Sequence, residues 1–154
     1  MSPAGPIPSR PTSLVPRDDI ARHPRYALTG FGQALRSSAA IASPSTTAEL
    51  QALLRRADAA GWSVTFRGAG RSYGDAALNK SGLVVTLNKM NRILSWDPAT
   101  GHISVEPGVS IQDIWEHTLK DGFWPHVVPG TMFPTVGGCV AMNVHGKNHF
   151  CQGS

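Results

Sequence analysis

Three things are scarce in this 154-residue chain, and each scarcity closes off a class of function. Cysteine occurs only at Cys139 and Cys151, twelve positions apart. That spacing makes neither a CxxC pair nor a disulfide framework, so the thiols read as reduced and without redox chemistry of their own. Long apolar runs are missing. No stretch approaches the roughly twenty residues that cross a bilayer, and the proline-broken N-terminus lacks the apolar core of a secretory signal. The expected location is cytoplasmic, with peripheral membrane association as the alternative. Charge of one sign is also thin: the net +4 divides into an excess of +3 over residues 1–60 and +1 over residues 61–154. No basic stripe interleaved with aromatics appears, so a nucleic-acid surface is not expected.

Proline and glycine are the residues present in unusual places. Five of the twelve prolines fall within the first sixteen residues, and thirteen of the sixteen glycines lie from Gly61 onward. Residues 1–25 hold too few apolar groups to offset the entropy of ordering and are predicted to form a flexible proline-rich arm. The fold is expected to begin near Tyr26. Thr46 with Glu49 forms a capping-box pattern ahead of Leu50, Leu53, Leu54 and Ala57 at helical spacing, and Gly61 terminates that helix. Ser63–Arg67 and Leu83–Leu87 read as buried strands, and Ile93–Trp96 with His102–Glu106 as a hairpin around the DPATG turn. A second helix follows, capped by Ser110, with Ile111, Ile114, Trp115, Thr118 and Leu119 as its apolar stripe and Gly122 as its end. Trp62, Trp96, Trp115 and Trp124 are all expected to pack in the interior. This order implies helices layered on a sheet, α/β or α+β.

Two long stretches escape the pattern, Gly68–Gly82 and Pro129–Ser154, and loops of that length in a compact domain tend to be functional. The first opens as Arg67-Gly-Ala-Gly-Arg-Ser-Tyr-Gly-Asp75. Glycines there let backbone N–H groups turn inward and make an anion-binding concavity, to which Arg67 and Arg71 could add charge. The second holds the Gly137-Gly138 pair, where a small-residue helix is predicted to begin and to offer its N-terminal amides to a phosphate. Two such places suit a diphosphate, and a dinucleotide cofactor is the natural ligand of that kind. Neither loop is a Walker A sequence, and Gly68, Gly70 and Gly74 follow GxGxxxG rather than the dinucleotide fingerprint GxGxxG.

Taken in order, RGAGRSYGDAALN from Arg67, EPGVSIQDIWEHTLKDGFWPHVVPGT from Glu106, TVGG from Thr135 and HGKNH from His145 resemble the FAD-binding domain of the vanillyl-alcohol-oxidase (PCMH-type) flavoproteins. Within that superfamily the decaprenylphosphoryl-ribose 2-oxidases and the sugar and aldonolactone oxidases are the most similar branches. The resemblance runs from Tyr26 to Ser154. It implies an α+β fold of two small α/β subdomains with mixed sheets flanked by helices, a domain cut short at its C-terminal end, and an absent substrate domain. It further implies that Gly68, Ala69, Gly70, Arg71, Ser72 and Tyr73 wrap the diphosphate and that Asn79 is a nearby polar flavin-site position. Pro129, Gly130, Thr131, Thr135, Gly137 and Gly138 would cradle the other side of the cofactor, with His145, Gly146 and Lys147 approaching the flavin or its substrate face. Relatives that attach FAD covalently use a histidine in the first loop or a cysteine in the second. Arg71, Ser72 and Tyr73, and Met132 and Phe133, stand in those places, so noncovalent FAD is expected.

The activity implied is oxidation of a CH–OH group of a sugar-like or lipid-linked substrate, with FAD as partner and the rest of the substrate pocket in the missing C-terminal domain; the chain alone is expected to be inactive. No catalytic residue is assigned. The alternative is a non-catalytic nucleotide-binding module. His145, His149 and Cys151 invite comparison with a zinc site, but Gly146 discourages a helix through the pair and no fourth ligand is evident, so no metal is expected.

Overall fold

In a computed structural model the described residues are 23–147, Phe150 and Gly153. Most of the N-terminal arm, His149 and Cys151 lie outside them. The elements are β1 (Arg25–Thr29), β2 (Arg36–Ala42), α1 (Thr47–Ala59), β3 (Val64–Arg67), β4 (Leu83–Thr86), β5 (Ile93–Asp97), β6 (His102–Val105), α2 (Ile111–Thr118) and α3 (Val136–Ala141). A single 3-10 turn, Leu119–Asp121, extends α2. No helix among the described residues is long and apolar enough to cross a membrane.

Four strands form a mixed sheet in the order β1-β2-β4-β3. β1 and β2 are an antiparallel hairpin, whereas β4 runs parallel to both β2 and β3. A central strand covered on both faces needs apolar side chains at consecutive positions. Leu83, Val84 and Val85 supply them, each with no exposed surface. Leu83 and Val85 join Ala40, Ala57 and Trp62 in the core, with Leu50, Leu53 and Val64 packed against it, which fixes α1 on that face of the sheet. β5 and β6 form a separate antiparallel hairpin.

Local chemistry explains the elements. The Thr46 hydroxyl accepts the Glu49 N–H at 3.1 Å, but Glu49 does not complete the box with Thr46. Its carboxylate reaches one residue further back, to the N–H and hydroxyl of Ser45 at 2.8 and 2.9 Å. At α2 the box is complete, with Ser110 and Asp113 bonding reciprocally. The DPATG turn closes because the Asp97 carboxylate accepts the Ala99 N–H and the Thr100 hydroxyl, and Gly101 takes the positive φ of 74°.

Three points differ from the sequence reading. The hairpin β1–β2 is not among the expected elements: Tyr26 and Thr29 of β1 and Ile41 of β2 are strand formers, but Ser37, Ser38, Ala39 and Ala40 between them are not, and burial of Ala39 and Ala40 places them. Leu119 leaves the apolar stripe, half exposed, because the 3-10 turn changes the angular step at the end of α2. Trp124 is 53% exposed and lies against Trp115, ring centroids 5.7 Å apart, instead of packing inside.

The second hairpin is closed at its base by Glu106, whose buried carboxylate accepts the backbone N–H of Arg92 at 2.8 Å and pairs with its guanidinium at 2.6 Å. The side-chain and backbone bonds from Arg92 hold the Glu106 carboxyl below the ordinary glutamate range. A depressed folded value means that this contribution to stability is present above the ordinary range and disappears as pH falls through the folded value. Thermal midpoints measured from pH 7 down to pH 3 should therefore converge for the wild type and Glu106→Gln at the acid end and separate toward neutrality. Leu83→Ala should lower the unfolding free energy by about 2–5 kcal/mol in urea titrations. A loss under about 1 kcal/mol would contradict two-sided burial of β4.

Candidate functional site

Parallel strands cannot be joined by a tight turn, so the chain leaving the carboxyl end of β3 must travel back to the amino end of β4. The segment from Gly68 to Gly82 makes that journey. Crevices beyond the carboxyl ends of parallel strands are where ligands bind in open sheets. A cavity of about 420 Å³ lies there, between the first loop, the end of β3 at Phe66, Leu50 of α1, and α3.

The first loop faces the cavity with Gly68, Ala69, Gly70, Arg71 and Ser72. None of the backbone N–H groups from Gly68 to Gly74 donates to an acceptor among the described residues. Five consecutive cavity-lining residues thus carry amides available to a ligand. The turn conformation comes from Gly70 and Gly74, with φ of 68° and 66°. At Gly70 a Cβ would also strike the Arg67 guanidinium, lying 2.9 Å from its Cζ, so the loop backbone rests on that side chain.

The two arginines expected to add charge to the loop take different positions. Arg67 turns beneath it, donating to the carbonyls of Thr29 at 3.0 Å and Ala77 at 3.2 Å. Arg71 is exposed, its guanidinium stacked 5.3 Å from the ring centre of Phe31 and 4.8 Å from that of Phe133. The turn between β1 and β2 braces the loop from outside. The Phe31 N–H donates to the Ser72 carbonyl at 3.0 Å, and Gly30 abuts the Gly74 carbonyl with no room for a side chain.

The second glycine segment forms the opposite wall, where Thr135, Gly137 and Gly138 line the cavity. Thr135 caps α3, accepting the Gly138 N–H at 3.3 Å, and its hydroxyl packs directly on Gly68, where the two loops meet. The expected phosphate site on the amides of this helix is not formed. The Val136 N–H donates to the Val109 carbonyl at 2.8 Å and the Gly137 N–H to the Pro107 carbonyl at 2.9 Å, so the first three amides of α3 are all satisfied internally. These glycines serve close packing instead. A Cβ on Gly137 would stand 2.9 Å from Pro107 Cβ.

Of the sixteen sequence-predicted binding residues, the structure brings Gly68, Ala69, Gly70, Arg71, Ser72, Thr135, Gly137 and Gly138 to this cavity. Tyr73 sits beside it, 75% exposed, with its ring 5.4 Å from that of Phe31. Asn79 is at the other end of the sheet, where its amide donates to the Ser63 and Leu83 carbonyls and accepts the Ser63 hydroxyl, pinning the starts of β3 and β4 together. Pro129, Gly130 and Thr131 lie outside the cavity lining, as do exposed His145 and Lys147 and buried Gly146. Sequence reasoning missed the apolar lining, Leu50, Phe66, Leu87 and Cys139 among it. Cys139 borders the cavity, and burial pushes its thiol pKa up. A usable signal was the small-residue face of α3, Gly138 and Ala141 three positions apart, both of which line the cavity. Among the described residues no cluster of His, Cys, Asp or Glu could hold a metal ion.

Comparison with known proteins agrees with this geometry. The chain is 41% identical over 128 residues to the decaprenylphosphoryl-beta-D-ribose oxidase of Mycolicibacterium smegmatis, covering 82% of this chain and 28% of that protein. It is 36% identical over 106 residues to an uncharacterized FAD-linked oxidoreductase of Mycobacterium tuberculosis, covering 68% of this chain and 23% of the relative. The chain thus spans about a quarter of the length of these curated relatives. Among solved structures, cholesterol oxidase from Brevibacterium sterolicum superposes with a TM-score of 0.68 at 21% identity, over 93% of this chain and 27% of that one. An alkyldihydroxyacetonephosphate synthase gives 0.69 at 18% identity, over 79% of this chain and 24% of the other, and both likenesses establish the fold alone. The FAD binding domain family matches residues 38–154, three-quarters of the chain and the whole of the cavity lining, and this protein belongs to that family.

Proposed function

We propose that the first glycine loop holds the diphosphate of FAD noncovalently, and that the protein oxidises a CH–OH group of a sugar-like substrate. The observation that carries the cofactor assignment is the run from Gly68 to Ser72, which lines the cavity with backbone N–H groups that have no acceptor among the described residues. A glycine-rich concavity of amides is chemically matched to a diphosphate. Leu50, Phe66 and Leu87 add apolar walls to the site. When bound, FAD supplies the hydride-accepting chemistry, and the protein contributes binding and orientation.

Noncovalent attachment is supported by the cavity lining, which holds no histidine among the described residues. Cys139 does border it, but burial disfavours its thiolate, which is the nucleophilic form. The sugar-like substrate is supported by the relative at 41% identity, by name an oxidase of decaprenylphosphoryl-beta-D-ribose. Because the chain spans about a quarter of that relative, we assign most of the substrate pocket to sequence beyond these residues and expect no turnover of sugar alcohols by the chain alone.

The assignment is tested by the visible spectrum of the purified chain after FAD is added and excess removed. Retained flavin bands that pass into the supernatant on acid precipitation are the expected result; colour remaining in the pellet would refute noncovalent attachment. Binding of ADP as tight as that of FAD would instead indicate a general nucleotide module. Gly70→Ala meets both a left-handed backbone and the Arg67 guanidinium, a strain of about 1–3 kcal/mol, and should weaken FAD roughly ten- to a hundredfold. Affinity within about twofold of wild type would remove the first loop from the cofactor site.

A further inference from the structure

A partly buried cation without a carboxylate partner lies directly under the amides of the first loop. Arg67 ends β3, and its guanidinium is held by two carbonyls, Thr29 on the last residue of β1 and Ala77 further along the same loop. Carbonyl oxygens satisfy N–H groups but leave the net charge unneutralised. Among the described residues no carboxylate pairs with Arg67, and burial lowers its proton affinity. Arginine keeps its proton under such conditions. A charge held partly out of water without a counter-ion is stabilised when an opposite charge comes near.

The place where an opposite charge can come near is set by Gly70. Its backbone rests on the guanidinium with no Cβ between them, and the loop's unbonded N–H groups belong to residues that line the cavity. We propose that Arg67 is a fixed counter-charge for the diphosphate, acting from beneath the loop through the backbone of Gly70 without touching the ligand; this rests on the FAD reading above. It is a positioning residue with an electrostatic share. The two carbonyl bonds hold its fork in place, so no side-chain ordering accompanies ligand binding. Because the guanidinium is only partly buried, its attraction for an anion one backbone layer away is weakened by added salt, so its removal flattens the salt dependence of binding. Arg71, exposed on two aromatic rings, is the solvent-screened counterpart.

The test is the dissociation constant of FAD for the full 154-residue chain, followed by quenching of flavin fluorescence between about 0.05 and 0.5 M salt, for wild type, Arg67→Met and Arg67→Lys, with circular dichroism to confirm folding. Riboflavin, which lacks the diphosphate, is the control ligand. Expected are a loss of about tenfold in FAD affinity for Arg67→Met at low salt, a flatter salt dependence in that variant, and a wild-type slope retained by Arg67→Lys. A merely structural role would weaken FAD without altering the slope, and that result overturns the proposal. If Arg67→Met does not fold, a flattened slope in folded Arg67→Lys overturns it, as does a wild-type FAD slope no steeper than that of riboflavin. Uptake of inorganic pyrophosphate that is sensitive to salt and to Arg67, by a chain that takes no flavin, would refute the FAD reading and leave the counter-charge standing. A wild-type chain that binds neither refutes both.

Discussion

β4 runs parallel to the strands on either side of it, and the position of the site follows from that pairing. Because β3 and β4 point the same way, the chain between them must cross the full length of the sheet, and a long connection is obligatory before any ligand is considered. The loop therefore starts at the carboxyl end of β3, where the strands open into a crevice, and finishes at the amino end of β4. Its two halves have separate tasks. The first, around Gly68–Ser72, shapes the cavity, while Asn79 in the second ties the strand beginnings together. Two-sided burial of Leu83, Val84 and Val85 keeps β4 in the gap that β2, α1 and β3 leave for it.

The two glycine segments have similar composition and opposite uses. In the first, glycine permits positive φ at residues 70 and 74 and leaves a row of amides without internal acceptors. In the second, glycine allows α3 to press against Pro107, and its amides are bonded to Val109, Pro107 and Thr135. One wall of the cavity offers hydrogen bonds and the other offers shape. Thr135 joins them, since it both caps α3 and touches Gly68.

Much of the fold was legible because the signals were local. Thr46 with Glu49, Ser110, the DPATG turn and the continuous Leu83-Val84-Val85 run each state their structure within a few residues. The turn of the first loop could be read because glycine spacing directly encodes backbone shape. What escaped was decided by partners distant in sequence. Ser37–Ala40 become a strand only because β1 and β4 flank them. Asn79, polar and near the loop, gives no hint that Ser63 and Leu83 will occupy its amide. The amides of α3 are taken by carbonyls about thirty residues upstream, so the sequence shows a helix start without showing that it is already satisfied.

The brace supplied by the turn after β1 has an implication for where this domain begins. The FAD binding domain family is matched from residue 38, yet Gly30 and Phe31, which seat the loop by steric fit and by the bond to Ser72, precede that boundary. Phe31 also forms one face of the stack around Arg71. A protein trimmed to the matched span would keep every residue lining the cavity while losing the strut that braces its first glycine loop. The structural unit that shapes the cavity is therefore larger than the segment its family pattern marks out.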